Sequence, residues 1–366
     1  MKKKISYQSA GVNYTSLDAV KRFAQSEGLK TKTHLPPSFK EVSASRGESA
    51  YVLETSDSYL AFVQEGLGTK NLVADEMRKI TSKTYYEAIA QDTVAMIIND
   101  LITVGARPIS LMAYWAVGES IWFEDKKRSE DLVRGWKKAC ERAGVVWGGG
   151  ETPALKNIVM PETIDLAGSA FGIIKPKNRL VTGGQLGHGD VIILLESSGI
   201  HANGLTLVRT ISDQLSKSYA TKLSNGNTFG EEILKPTSIY STLVNEILDS
   251  HIPIHYMANI TGHGWRKLMR AEQSFRYVID NVPPISPLFQ FIQQQAGLPD
   301  FEMYATFNMG AGFALYVHPK DAQKVISLAK KQNIKAWIGG SVEKGEKQVI
   351  IKPLGITYTS KDLNIR

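Results

Sequence analysis

The chain has 366 residues, 43% hydrophobic and 22% charged, with 43 basic and 36 acidic side chains and a net charge of +7. That is the balance of a globular protein long enough for two domains, and its single cysteine, Cys140, excludes an internal disulfide framework or a multi-cysteine metal site. No apolar run approaches the ~20 residues that span a bilayer, no apolar stretch follows the basic start as in a secretory signal, and the scattered Lys and Arg form no basic-aromatic stripe for nucleic acid. The chain is therefore read as cytoplasmic, with no membrane or nucleic-acid partner and a modest positive field that favours anionic ligands such as nucleotides.

Ser16, followed by Leu17, Val20, Phe23 and Ala24 at helical spacing, predicts an amphipathic helix over 16–25. Residues 30–49 are polar, contain Pro36-Pro37 and read as a loop. Tyr51-Val52-Leu53 and Tyr59-Leu60-Ala61-Phe62-Val63 flank a Ser-Asp-Ser turn and predict a hairpin. A long helical pattern covers 85–104 and stops at Gly105. Residues 109–117 read as strand, 129–143 as a helix capped by Ser129, 145–147 as a short buried strand and 166–174 as another strand. The polar Lys175-Pro176-Lys177-Asn178 segment marks a boundary between domains 1–174 and 175–366. Beyond it, strand is expected at 191–195, helix at 203–218, helix from Pro236-Thr237 to 249, strand at 275–279, helix at 287–296, strand at 312–317 and helix at 320–332. Such alternation predicts α/β or α+β layers. The tail from about 353 is polar and expected to be peripheral.

Chemistry concentrates in five segments. In Glu65-Gly66-Leu67-Gly68-Thr69-Lys70 the two glycines allow a close backbone approach and an anion-binding nest. Lys70 supplies a point charge for phosphate and Glu65 a metal-reaching carboxylate, although the spacing is not that of a Walker loop. Asp92 and Asn99 are seven residues apart on the long helix, so they share a face, with Asp100 beside them. Acids on so apolar a helix need a partner or a metal. Gly148-Gly149-Gly150-Glu151-Thr152 follows a buried strand, which suits close phosphate approach, with Glu151 as a further metal ligand. His201-Ala202-Asn203-Gly204 offers an acid–base or phosphate-donor histidine. Thr261-Gly262-His263-Gly264 looks like a second glycine loop suited to a sugar phosphate.

In this order the motifs resemble the aminoimidazole ribonucleotide (AIR) synthetase family, the phosphoribosylformylglycinamidine cyclo-ligases of purine synthesis. Ser6-Tyr7-Gln8-Ser9-Ala10-Gly11-Val12-Asn13 is similar to the family's opening Ser-Tyr-x-x-Ala-Gly-Val-Asp, and Glu65 to Lys70 to its Asp-Gly-Val-Gly-Thr-Lys. Asp92-Thr93-Val94-Ala95-Met96 with Asn99-Asp100-Leu101, Gly149-Gly150-Glu151-Thr152, His201-Ala202-Asn203-Gly204 with Leu207-Val208-Arg209, Pro236-Thr237 and Thr306-Phe307-Asn308-Met309-Gly310 follow in family order.

The resemblance implies a two-domain AIR-synthetase-like fold, α+β or α/β, and a homodimer. N-terminal strands would form a barrel across the dimer interface, with ATP nearby and a C-terminal α/β domain. It implies an ATP- and Mg2+-dependent ligase that acts on formylglycinamidine ribonucleotide. The expected catalytic residues are Lys70, Asp92 and His201, and the expected metal ligands are Glu65, Asp92 and Glu151. Around ATP and its phosphates stand Glu65, Gly66, Gly68, Thr69, Lys70, Asn99, Gly149, Gly150, Glu151, Thr152, Asn203, Thr261 and Gly262. The chain departs from the family where Glu65 replaces Asp, where Ala113 replaces an acid, where a Gly-Gly-Phe-Gly segment is lost from 30–49, and where His263 interrupts a Thr-Gly-Gly-Gly run. These departures leave two alternatives: an ATP-dependent enzyme of the same superfamily with another substrate, or a nucleotide-binding dimer without turnover.

Overall fold

The computed structural model describes residues 14–363, so the opening motif from Ser6 to Asn13 lies outside the described residues. The first half comprises helix α1 (Tyr14–Lys30), strands β1 (Lys40–Glu41), β2 (Tyr51–Glu54) and β3 (Tyr59–Gly66), helices α2 (Lys70–Thr81) and α3 (Tyr86–Leu101), strand β4 (Arg107–Val117), helix α4 (Lys126–Ala143), and strands β5 (Val146–Glu151) and β6 (Ile164–Ile174). Its strands form one sheet in the order β1-β2-β3-β6-β4-β5. The expected hairpin is β2–β3, with Leu53 opposite Leu60.

Because strand side chains alternate, each strand offers one face to the core and one away from it. In β6 the residues Leu166, Gly168, Ala170 and Gly172 are buried, while the intervening Ala167, Ser169 and Phe171 are partly exposed. The buried face lies against α3: a methyl on Gly168 would come 2.9 Å from Ile97 Cδ1, and one on Gly172 3.2 Å from Leu101 Cδ2. Helix α4 covers α3 from the other side, so close that a Cβ on Gly135 would lie 2.5 Å from Glu87 Cα. Trp115 of β4 meets Trp136 of α4 edge to face at 5.3 Å. With sheet and α4 both packed on it, α3 retains no exposed stripe. Its polar residues Asp92, Asn99 and Asp100 are buried too, against the second half of the chain.

That half contains β7 (Val191–Glu196), α5 (Leu205–Asp213), α6 (Phe229–Ile233), α7 (Ser241–Asp249), β8 (Tyr256–Asn259), β9 (Phe275–Ile279), α8 (Pro287–Ala296), α9 (Asp300–Thr306), β10 (Ala311–Val317), α10 (Ala322–Lys331), β11 (Ala336–Lys344), β12 (Gln348–Ile351) and β13 (Ile356–Thr359). These seven strands form a mixed sheet in the order β13-β12-β9-β11-β7-β10-β8, with β12 parallel to β9. Every residue of β10 is buried, as an inner strand covered on both faces requires.

Four expectations need correction. The glycine triplet is not a turn after a short strand: it lies within β5, where Gly149 pairs with Met112 and Gly150 with Ala113. Only glycine fits at 150, since a Cβ there would lie 2.1 Å from the Ala113 carbonyl oxygen. Helix α4 starts earlier than expected, capped by Asp125, whose carboxylate accepts from the Arg128 N–H. Pro236-Thr237 does not open a helix, because residues 236–240 are held as a loop by α3 and α7 starts only at Ser241. The polar tail is not peripheral: β13 extends the second sheet and buries Tyr358 completely.

Candidate active site

The end of β3 and the start of α2 form the first wall of the site. Gly68 takes a left-handed φ of +77°, which frees the chain to turn from strand into helix. The Thr69 side chain makes no cap bond to α2, so that side chain leaves the first helical N–H groups open, and such groups favour an anion. Lys70 does not join them. Its side chain is fully buried, and Nζ donates to Asp92 Oδ1 at 2.8 Å and to the Lys235 carbonyl oxygen at 2.9 Å.

Asp92 is turned to the same task. Its Oδ1 also accepts from the Thr237 N–H at 2.8 Å and from the Thr237 hydroxyl, while Oδ2 is buried without a hydrogen-bond partner. Burial pushes the Asp92 carboxyl up and the Lys70 amine down from their ordinary values, and the charge of each opposes the shift of the other. Two turns along α3, Asn99 donates to the Ser238 carbonyl oxygen and accepts from the Tyr240 N–H at 3.0 Å. The shared face of Asp92 and Asn99 therefore clamps the 236–240 loop, through Asp92 Oδ1 and the Asn99 amide.

Glu65 lies with a different acid. Burial, and then the neighbouring Asp100 carboxylate, push the Glu65 carboxyl up to about 7. Asp100 Oδ1 accepts from Asn259 Nδ2 at 2.7 Å. Lys267 completes the group: its ammonium donates to the Thr261 hydroxyl, and burial lowers it to about 8 against the charges of Asp100 and Glu65. Lys267 was not singled out by the sequence. Its lysine–leucine context resembles an ordinary helix, and only the fold brings it opposite two acids.

Glu151 cannot join Glu65 within one chain. Glu65 pairs with Gly168, Gly168 with Ala113, and Ala113 with Gly150, so these four form one row across β3, β6, β4 and β5 on the α3 side. Glu151 belongs to the next row, on the opposite face and three strands from Glu65, roughly 14 Å away. Among the described residues no three His, Cys, Asp or Glu side chains converge as a metal site. The expected set of Glu65, Asp92 and Glu151 is thus dispersed over three places. Mg2+ needs only one or two protein carboxylates besides water and phosphate oxygens. The neighbouring Glu65 and Asp100 side chains supply two carboxyl groups and fit such a cation.

His201 is interior. Its ring is buried, Nε2 accepts from the Ser198 N–H at 3.3 Å, and burial with the charge of Lys70 lowers it to about 3. A ring held neutral and buried in this way fixes the 198–201 turn. Asn203 touches Met96 Sδ at 3.9 Å. Gly149, Gly150 and Glu151 are exposed on the edge strand of the sheet, Thr152 is exposed just after it, and Gly66 and Gly68 are exposed at the α2 entrance. Thr261 is buried beside Lys267, with Gly262 partly exposed next to it. A groove of about 1050 Å³ runs along α2 and is bounded by Arg78, Trp122, Met160, Arg209 and Tyr219. A second cavity of about 350 Å³ lies between Ser198, Lys235, Pro283 and Trp337.

Two α/β halves, each built on its own sheet, with a glycine turn leading into α2 near the neighbouring acids Glu65 and Asp100, define the class. The family model "AIR synthase related protein, N-terminal domain" matches residues 47–174, and its C-terminal counterpart matches 187–352. The chain belongs to the AIR synthase related family. It is 37% identical over 340 residues to the phosphoribosylformylglycinamidine cyclo-ligase of Methanocaldococcus jannaschii, covering 92% of each chain. Among solved structures its fold is similar to a chain of the HypE-HypF complex (TM-score 0.61, 15% identity, 92% and 98% covered). It is also similar to T. maritima PurL complexed with ATP (TM-score 0.55, 15% identity, 87% and 46% covered). No helix among the described residues is long and apolar enough to cross a membrane.

Proposed function

We propose that the chain is an ATP- and Mg2+-dependent cyclo-ligase of the cytoplasm that converts formylglycinamidine ribonucleotide to AIR, ADP and phosphate. The observation that carries this reading is the near full-length similarity to the Methanocaldococcus cyclo-ligase. In the reaction, the formyl oxygen of the substrate attacks the γ-phosphorus of ATP and ADP leaves. An amine of the same molecule then attacks the activated carbon, the C–O bond breaks, phosphate departs and the ring nitrogen loses a proton. Phosphorylation turns a poor leaving oxygen into a good one, and holding both groups in one site supplies the orientation that closes the ring.

This chain's residues divide that work. The open N–H groups at the start of α2, reached through Gly66, Gly68 and Thr69, hold phosphate. Glu65 and Asp100 would hold Mg2+, which when bound neutralises the charge of the moving phosphoryl group. Lys267 and Thr261 face the same acids and add a cation for an anionic substrate. Lys70, Asp92 and Asn99 act one step back, locking the 235–240 loop to α3 so that the halves keep their spacing.

Segments 1–174 and 175–366 act as two domains on this reading, each built on one of the two sheets. The outer face of the first sheet carries exposed Phe62, Met112 and Val146, with Phe62 against Phe171 at 5.5 Å. Exposed apolar side chains gathered on one sheet face favour an interaction surface, and on this reading its occupant is a second copy of the chain. The homodimer would bring Glu151 and the β5 glycines to the interface. Purified protein with ATP, Mg2+ and formylglycinamidine ribonucleotide should yield AIR and ADP in equal amounts. ADP without AIR, or neither product, would overturn the assignment.

A further inference from the structure

Helix α1 is attached to the rest of the molecule in an unusual way. Its apolar residues Leu17, Val20 and Phe23 are exposed, and among its described side chains only Asp18 is buried. A surface helix ordinarily docks through its apolar stripe. This one docks through a carboxylate, and a buried carboxylate requires a partner. The partner is His263, whose Nε2 lies 3.4 Å from Asp18 Oδ2. Asp18 Oδ1 is buried without a hydrogen bond, so His263 is the contact that fixes the carboxylate.

His263 holds its position against its backbone preference. Its φ is +72°, in the left-handed region where glycine is at ease and a histidine is uncommon. Position 263 is also where the family run has glycine. The chain therefore keeps a strained side chain where a relaxed one would fit, and the contact to Asp18 is one that this side chain adds.

The tie lies next to the proposed site. Thr261, two residues before His263, accepts from Lys267, which faces Glu65 and Asp100. Lys21, one turn beyond Asp18, lies close enough for its charge to bear on both His263 and Lys267. We propose that His263 is a positioning residue that holds α1, through Asp18, beside the Glu65–Asp100 site, so that α1 forms one wall of the space for the anionic substrate and contributes the charge of Lys21. The catalytic part of this inference rests on the cyclo-ligase reading. The structural part does not.

Four variants of the full chain separate the outcomes: His263→Gly, Asp18→Ala, Asp18→Asn and the double Asp18→Ala/His263→Gly. Glycine suits the +72° conformation, so His263→Gly does not fail for backbone reasons. Trypsin, which cuts after Lys21, Arg22 or Lys30 once α1 is released, should cleave His263→Gly and Asp18→Ala about tenfold faster than the parent, the size expected for one charged hydrogen bond. Asp18→Asn keeps an acceptor oxygen and should stay near the parent rate. The double variant should match His263→Gly, since the contact that Asp18→Ala removes is already lost there. In turnover, KM for formylglycinamidine ribonucleotide should rise about tenfold in the first two variants, with kcat changed by no more than about twofold. Parent-like cleavage of His263→Gly and Asp18→Ala overturns the tie. A lowered kcat at unchanged KM overturns the positioning role. Should the parent make no AIR, the cyclo-ligase reading fails while the trypsin comparison still decides the tie.

Discussion

Lys70 and Asp92 form an ion pair at 2.8 Å with both side chains fully buried, and the same Asp92 oxygen receives two bonds from Thr237. The pair thus joins the start of α2, the middle of α3 and a loop of the second half at one point. A buried pair contributes little against a well-packed apolar substitute, yet removing one partner strands a charge.

It follows that Asp92→Ala and Lys70→Ala each lower the stability of the fold by about 3–5 kcal/mol. The apolar double variant Lys70→Met/Asp92→Leu should recover most of that loss. Urea unfolding followed by circular dichroism measures both effects. A single variant with the parent midpoint would remove this pair from the account of the fold.

Metal binding should follow the regrouped acids. Glu65→Ala and Asp100→Ala are each expected to weaken Mg2+ binding by about tenfold or more in the presence of a non-hydrolysable ATP analogue, because each removes one of two carboxylates. Glu151→Ala, on the opposite face of the sheet, should change it less. Isothermal titration of the three variants decides between this pair and the dispersed set.

Stability should fall as acid is added from about pH 6.5. His201 and His263 are each lowered to about 3 from an ordinary value of 6.5, both chiefly by burial. Between those limits the unfolded chain binds a proton at each histidine that the folded chain refuses, so the stability present above pH 6.5 is lost as pH falls toward 3. Each histidine contributes a slope of about 1.4 kcal/mol per pH unit through that window. Urea midpoints measured from pH 7 to pH 4 should show a shallower slope in His263→Gly than in the parent.

Self-association should depend on the outer sheet face. Phe62→Glu with Met112→Glu places like charges on a surface that is apolar in the parent and should convert a dimer to a monomer in sedimentation velocity. An unaltered sedimentation coefficient would locate the association elsewhere.

Gly150 tests the edge strand. Gly150→Ala forces a methyl within 2.1 Å of the Ala113 carbonyl oxygen, whereas Gly149→Ala meets nothing within 4 Å and suffers only its φ of +137°. The first should destabilise the protein by about 3 kcal/mol and the second by about 1 kcal/mol. Equal unfolding midpoints would count against the β4–β5 register.

Much of the local structure was written in the sequence itself. The strand formers along 51–53 and 59–63, the apolar pattern over 85–104 and the stop at Gly105 come from residue preference, side-chain period and backbone freedom, which neighbouring residues determine. The functional class was also legible, because the glycines at the α2 entrance and the acids of 65–151 occur in an order specific to one family. What only the tertiary structure decided is which acid meets which partner. Asp92 and Asn99 share one face of a helix, and that face meets Thr237 and Tyr240, more than 130 residues away. Glu65 and Glu151 are both acids near glycines, yet strand parity sends them to opposite faces of one sheet. Helical and strand periods set a side chain's direction from its own element. The group it meets depends on how elements dock, and docking is governed by apolar burial and register summed over the whole fold.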